Sequence, residues 1–344
     1  MKFFDAFTGI GGFTLGIESA GLGWECVGYS EIDKYASAIY THHYPNHQNY
    51  GNITAIIGSE LPDFNVLVAG FPCQAFSIAG KRQGFEDTRG TLFFDVARIL
   101  STKRPEWVIL ENVKGLLNHD LGKTIRTIYR VLTKLGYTVG WEIVNSCHFG
   151  VPQSRERIFI VGHLGGGSIA KIFPIGKRNR LPSQGKLTEK HNSDIFSIGT
   201  LRTHKNGKGY REIKSGLAPT LLARAREDGS GQPVIKAVLT PDRLEKRQNG
   251  RRFKKDGEPM FTLTSQDRHG VKYDNHIRRL TPVECERLQG FPDGWTKFGL
   301  FDGERKSISD ARRYKTLGNA VTINVIQAIV LKISKLNQDI GEVA

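Results

Sequence analysis

Phe3-Phe4-Asp5-Ala6-Phe7-Thr8-Gly9-Ile10-Gly11-Gly12-Phe13 lies at the start of this 344-residue chain, and its reading decides the fold. Apolar residues gather over 3–7 in a run the length of a buried strand, a glycine turn follows at once, and a helical pattern continues from it. Glycines at such a turn let a ligand approach the backbone, and the helix behind them presents unbonded amide donors. Working outward, strand-like runs recur at 25–30, 66–69, 107–110, 138–144 and 157–161. Helical patterns separate them, as over 124–135, where Ile125, Ile128, Tyr129, Leu132 and Leu135 repeat at helical spacing. This alternation predicts an α/β fold with a doubly wound, mostly parallel sheet.

After Gly162 the character changes. Gly165-Gly166-Gly167-Ser168 opens a polar, basic, glycine-rich stretch, and apolar order returns only near Ile277. Residues 322–336 then read as a helix whose buried side carries Ile323, Val325, Ile326, Ile329, Val330 and Ile333. The expected organisation is a first domain over 1–165, a smaller basic domain over 166–276, and a hinge and C-terminal segment over 277–344 that folds back onto the first. Of the net charge of +15, nearly all sits in the middle: residues 171–280 hold 25 Lys and Arg against 11 Asp and Glu, a balance of +14. A basic segment is often only a solvated surface, but concentration in one segment is the footprint of a polyphosphate partner. The cysteines, Cys26, Cys73, Cys147 and Cys285, stand far apart with no two-residue spacing, which fits a reduced cytosol and implies no metal site. Asp5 interrupts the first apolar stretch and no run of about 18 apolar residues follows, so the expectation is a soluble cytoplasmic protein with no membrane contact.

Four further segments converge on the strand ends. Glu31-Ile32-Asp33 follows the second strand, 22 residues after Gly9, where an acidic side chain can accept hydrogen bonds from ribose hydroxyls. The turn lacks the third glycine of the dinucleotide fingerprint, which favours S-adenosylmethionine over a nicotinamide cofactor. Gly70-Phe71-Pro72-Cys73-Gln74 ends the strand over 66–69, and ligands of open α/β sheets bind beyond the carboxyl ends of strands. An isolated cysteine is usually a small buried hydrophobe, the reading for Cys26, Cys147 and Cys285. The rigid Pro72 and the strand-end position make Cys73 a candidate nucleophile instead. Glu111-Asn112-Val113 and Arg155-Glu156-Arg157 flank strands at the same edge, bringing a carboxyl, a thiol and two guanidinium groups together as a site.

These segments resemble, in order, the motifs of the bacterial and phage DNA (cytosine-5-)-methyltransferase family: residues 7–12, 70–74, 111–113, Gln153-Ser154-Arg155-Glu156-Arg157, Arg279 through Cys285 with Gln289-Gly290-Phe291-Pro292, and Gly318-Asn319-Ala320-Val321. The resemblance covers 1–165 and 277–335. It implies a Rossmann-like, S-adenosylmethionine-dependent catalytic domain with a basic target-recognition domain inserted. By resemblance Cys73 adds to C6 of cytosine, Glu111 contacts N3 and the exocyclic amine, Arg157 holds the base and Arg155 supports the site. Because C6 is hidden in a stacked duplex, the base must be flipped out. The cofactor residues so implied are Phe7, Gly9, Gly11, Gly12, Glu31, Ile32, Asn52, Pro72, Leu92, Asn319 and Val321. Asn52 departs from the family pattern, where many members carry aspartate. A loop over 74–89 with Lys81, Arg82 and Arg89 is expected to close on DNA, with Arg224, Arg226, Arg252, Thr262 and Arg268 as further contacts. Pro219-Thr220-Leu221 and Phe261-Thr262-Leu263-Thr264 both resemble the Thr-Leu element of such domains, and the second lies closer to the returning block. The expected partners are double-stranded DNA and a restriction endonuclease acting on the same site, and the expected state is a monomer. Two alternatives stay open at this point: an RNA (tRNA) cytosine-C5 methyltransferase, and a catalytically silent DNA-binding relative.

Overall fold

The computed structural model of the chain describes residues 1–72, 92–166, 172–175, 200–204, 207–211, 236–239, 241, 251–254, 258–265, 268–273 and 276–341. Cys73, the loop over 74–89 with Lys81, Arg82 and Arg89, and Arg224 and Arg226 lie outside the described residues.

Six strands form the central sheet: β1 (Lys2–Ala6), β2 (Glu25–Ser30), β3 (Val66–Gly70), β4 (Trp107–Val113), β5 (Tyr137–Asn145) and β6 (Glu156–Leu164), in the order β2-β1-β3-β4-β6-β5. The first four pair in parallel, whereas β6 runs antiparallel to both β4 and β5. One strand in six is therefore reversed, and the mostly parallel sheet expected from the alternation is present. Side chains alternate faces along each strand. Phe4, Ala6, Leu67, Ala69, Val108 and Leu110 pack on one side with α3 (Leu92–Lys103) and α4 (Lys123–Lys134). Phe3, Val66, Val68, Trp107 and Ile109 pack on the other with α1 (Gly12–Glu18) and α7 (Ile323–Gly341). The C-terminal helix thus returns to the first domain, burying Val325, Ile326, Ile329, Val330 and Ile333. Gly12 permits this closure: a Cβ there would lie 2.6 Å from Val321 Cγ1.

A third cluster joins α2 (Lys34–His43), α5 (Pro282–Gln289) and α6 (Asp310–Asn319) through Ala36, Ile39, Cys285, Leu288 and Leu317, together with Met260, Leu263 and Val271. One core thus spans both sides of residue 277, where the sequence suggested a border. Beneath it Glu286, fully buried, accepts from Thr296 and from Arg313 Nη2 at 3.0 Å. The remaining described strands are β7 (Thr200–His204), β8 (Gly207–Arg211), β9 (Lys236–Leu239), β10 (His269–Tyr273), β11 (His276–Arg279), β12 (Phe298–Phe301) and β13 (Glu304–Ser307). They pair as two hairpins and one three-stranded sheet, β11-β10-β9.

Candidate active site

From β1 the chain passes to β2 on one side, and from β3 to β4 on the other, so the sheet reverses its winding between β1 and β3. At such a switch point the loops leaving the strand ends part and open a crevice. A cleft of about 440 Å³ lies there, walled by Phe7, Gly9, Glu31, Ile32, Asn52, Gly70, Phe71, Pro72, Leu92, Glu111, Asn112, Arg155, Arg157, Lys315 and Asn319, among others.

One wall is built by Glu31. Its Oε2 accepts the Gly9 amide at 2.9 Å, and its Oε1 accepts the amides of Ile32 at 2.8 Å and Asp33 at 2.7 Å. The carboxylate therefore clamps the glycine turn to the end of β2. A carboxylate offers about four lone-pair positions, so three amides leave one for a hydroxyl of a bound ligand. Burial raises the Glu31 pKa, and the three amides oppose that rise. Ile32 beside it is 73% exposed, an apolar side chain in solvent at the mouth of a cleft, which suits a flat ring. Gly9, at φ +58°, has open space where a Cβ would stand. Asn52 lines the cleft while its Oδ1 caps the Thr54 amide at 3.1 Å. Asp33, the N-cap of α2, meets Lys315 of α6 at 2.7 Å across the rim.

Asp5 sits directly under this turn with no solvent exposure; its Oδ2 accepts the hydroxyls of Thr8 at 2.7 Å and Thr14 at 2.8 Å, while Oδ1 has no partner. Burial pushes its pKa from the ordinary 3.8 up to about 7. Between those two values the native state holds a proton that the unfolded chain has released. The stability contributed by protonated Asp5 is thus complete below about pH 4 and is lost as pH climbs to about 7. His42, His43 and His47, whose pKa values burial lowers, act in the opposite sense. The expected result is therefore a difference: relative to Asp5→Asn, the wild type loses a few kcal/mol of unfolding free energy between pH 5 and 7.5, measured by urea titration.

The opposite wall is built by β3, β4 and β6. Gly70 at the end of β3 pairs with Glu111, which pairs with Phe159 on the far side. The apolar runs put Glu111 just beyond its strand and Arg157 at the very start of its own; both lie inside, because antiparallel pairing carries β4 to Val113 and β6 back to Glu156. Since β6 is reversed, its start meets the end of β4, and Arg157 Nε reaches Glu111 Oε1 at 3.0 Å. Both side chains are largely buried, at 16% and 13% exposure. Burial raises the Glu111 pKa, and the charges of Arg157 and Arg155 oppose it. Asn112, buried, donates Nδ2 to the Phe71 carbonyl at 2.8 Å, fixing the peptide two residues before position 73.

Arg155 is 2% exposed and donates to the carbonyls of Leu263 at 2.8 Å, Gly318 at 3.3 Å and Ala320 at 2.8 Å. Burial lowers its pKa to about 9, which leaves the guanidinium charged at neutral pH. The side chain staples the Thr-Leu segment and the end of α6 to the base of β6. Gln153 helps, accepting the Leu263 amide at 2.7 Å, and Thr262 donates its hydroxyl to Ser154 O at 2.7 Å. Gly318 permits the crossing, since a Cβ there would fall 2.3 Å from the Thr264 carbonyl carbon. Arg155→Met removes the guanidinium donor from three buried carbonyls, leaving Ala320 O only Gln289 Nε2 at 3.3 Å, and is expected to lower unfolding free energy by about 3 kcal/mol or more, read from the shift in urea midpoint.

Three residues named for the cofactor stand behind the cleft and off its wall. Gly12 and Val321 pack on each other, and Gly11, at φ +90°, has Tyr40 Cδ2 3.0 Å from where its Cβ would be. The glycine pattern here serves helix packing as well as ligand approach. Of the residues named for DNA, Arg252 is half-buried beside the Phe253 ring and Arg268 is exposed ahead of β10. Asn112, Asp33 and Lys315 were not singled out. Lys315 precedes Asn319 by one helical turn, which was the available signal; the hold of Asn112 on Phe71 requires the β3–β4 register.

A switch-point cleft with a carboxylate-clamped glycine turn on one wall and a buried Glu–Arg pair on the other defines an α/β methyltransferase. The chain belongs to the C-5 cytosine-specific DNA methylases, whose family model matches residues 1–335. It is 34% identical to the orphan methyltransferase M.SPRI of Bacillus phage SPR, over 96% of each chain. It is 37% identical to the type II methyltransferase M.DsaV of Dactylococcopsis salina, over 96% of this chain and 85% of that one. The S. pombe Dnmt2 methyltransferase shares the fold, with a TM-score of 0.59 at 18% identity over 98% of this chain and 99% of that one.

Proposed function

We propose that the enzyme transfers a methyl group from S-adenosylmethionine to C5 of a cytosine flipped out of a specific site in double-stranded DNA, through a covalent Cys73–C6 intermediate. The observation that carries this reading is the pairing of Glu111 with Arg157 on the wall opposite Glu31 and Ile32, beside a backbone that Asn112 fixes just before Cys73. S-adenosylmethionine supplies, when bound, a methyl group made electrophilic by its sulfonium. Glu31, Ile32, Phe7 and Asn52 would hold its adenosine, with Pro72, Leu92 and Asn319 on the walls beside it. The cleft volume lies within the roughly 300–1,000 Å³ usual for such ligands.

C5 of cytosine is a weak nucleophile. Addition of the Cys73 thiolate at C6 breaks the C5–C6 double bond and makes C5 the end of an enamine. Glu111, whose carboxyl burial favours in its protonated form, bonds N3 and stabilises the ring as sulfur adds. Arg157 holds Glu111 and the base, and Arg155 keeps the wall in register. After methyl transfer, loss of the C5 proton and departure of the sulfur restore the aromatic ring and the free thiol. The +14 segment would supply phosphate and base contacts, with Arg224, Arg226, Arg252, Thr262 and Arg268 as candidates and Lys81, Arg82 and Arg89 closing from the other side. The reading includes a monomeric, cytoplasmic enzyme and a restriction endonuclease acting on the same site.

Bisulfite sequencing of DNA from cells expressing the chain is expected to show conversion-resistant cytosines at one short sequence. Uniform conversion, or methylation of tRNA with none in duplex DNA, would overturn the reading. Asn112→Ala is expected to cost only about 1 kcal/mol of stability but to lower kcat by one to two orders of magnitude, on the order of the loss caused by a 1 Å misplacement. KM for the duplex should hardly change, a split that steady-state kinetics resolves.

A further inference from the structure

Helix α4 reads Lys123-Thr124-Ile125-Arg126-Thr127-Ile128-Tyr129-Arg130-Val131-Leu132-Thr133-Lys134, with four cations and no acid. Cations on a helix surface are ordinarily interleaved with acids three or four residues away. Here Arg126, Arg130 and Lys134 recur every fourth residue along one line, each step rising about 6 Å. Among the described residues, Lys123 alone of the four is in an ion pair, with Asp120 at 3.5 Å. Arg126 donates only to neutral acceptors, the carbonyls of Leu121 and Gly122.

Two aromatic side chains lie beside this line. Tyr129 of α4 is 47% exposed and Trp141 of β5, the edge strand of the sheet, is 45% exposed. Tyr137 and Val139, on the same face of β5, are taken into the core, whereas Trp141 extends past the helix that covers them. The two rings and the three cations line an open groove of about 670 Å³ that shares no residue with the cleft.

The chemistry of the groove selects its occupant. A second copy of the chain would set this line of cations against its own image, and an apolar segment would strip water from three charges while pairing none. A polyanion answers the charges. A duplex keeps its bases stacked and offers the rings nothing to lie on, whereas a single strand brings both phosphates and free base faces. We propose that the α4–β5 groove is a second nucleic-acid site that binds single-stranded DNA, with phosphates following Arg126, Arg130 and Lys134 and bases stacked on Trp141 and Tyr129. The choice of DNA over RNA rests on the reading of the cleft as a DNA enzyme; the groove itself does not.

The test uses the full chain and a labelled 15-nucleotide oligothymidine, which carries no cytosine, followed by fluorescence anisotropy in the presence of excess unlabelled duplex. The wild type is expected to bind, more weakly as salt rises. Arg130→Glu with Lys134→Glu should weaken binding by about tenfold or more, and Trp141→Ala by about tenfold, while Trp141→Phe stays within about twofold. Methyl transfer to a short duplex should be unchanged in all of them. Equal binding by the charge-reversed variant, a Trp141→Phe as weak as Trp141→Ala, displacement of the oligothymidine by the excess duplex, tighter binding of oligouridine than of oligothymidine, or loss of methyl transfer alongside binding would each overturn the proposal. A chain that methylates no DNA would sink the reading of the cleft and leave the anisotropy result to be judged alone.

Discussion

Replacing Cys73 with serine is expected to reduce methyl transfer by at least about 10³-fold while leaving duplex binding within a few-fold of wild type. A serine hydroxyl has nearly the same size as the thiol but is almost never ionised at neutral pH, so the change removes the nucleophile and little else. No other thiol among the described residues can take over. Burial pushes Cys26 and Cys285 up to about 12 and raises Cys147, and none of the three lines the cleft. The chain up to position 72 is held independently of the side chain that follows, through the pairing of Gly70 with Glu111 and the bond from Asn112 to Phe71. Single-turnover incorporation of labelled methyl, set beside an electrophoretic shift of the same duplex, separates chemistry from binding.

Glu111→Gln is the second change with a large expected effect, a fall in kcat of about 10²- to 10⁴-fold, the range typical for loss of a positioned acid–base group. The amide keeps an oxygen for Arg157, so stability should move little; Glu111→Ala instead leaves Arg157 largely buried without its carboxylate and should be visibly less stable. The two variants together divide the role of the carboxyl between holding the wall and serving the base. Comparable kcat for Glu111→Gln and wild type would remove Glu111 from the chemistry. Thermal melting of both variants gives the structural half of the comparison.

Much of the fold and of the cleft is legible in the sequence alone. The six central strands lie where the sequence runs marked them, most sharply β1, β3 and the first half of β4, because strands buried on both faces need continuous apolar sequence. Glu31, Phe7, Ile32, Pro72, Leu92 and Asn319 share one cleft because they sit at strand ends on one edge or, for Leu92 and Asn319, at the start of α3 and on the segment folded back against that edge. What the sequence concealed is what depends on pairing between distant segments. The last residues of β4 are polar and read as a loop; only the register with β6 makes Glu111, Asn112 and Val113 strand. Gly11 and Gly12 look like ligand glycines, yet the partners that require them, Tyr40 and Val321, are 29 and 309 residues away. Arg155 reads in the sequence as a support for the site, but what its guanidinium holds, the backbone carbonyls of Leu263, Gly318 and Ala320, lies more than 100 residues away. A border near residue 277 followed from the return of apolar periodicity, and the core formed with Met260, Leu263 and Val271 spans that point.

The most direct measurement is mass spectrometry of the protein after incubation with S-adenosylmethionine and a duplex carrying 5-fluorocytosine at the methylated position. Fluorine in place of the C5 hydrogen blocks the elimination that frees the enzyme, so the wild type should become bonded to DNA through the peptide containing Cys73, and Cys73→Ser should not. An adduct on another residue, or no adduct from a wild type that methylates the ordinary duplex, would contradict attack of the Cys73 sulfur on the ring.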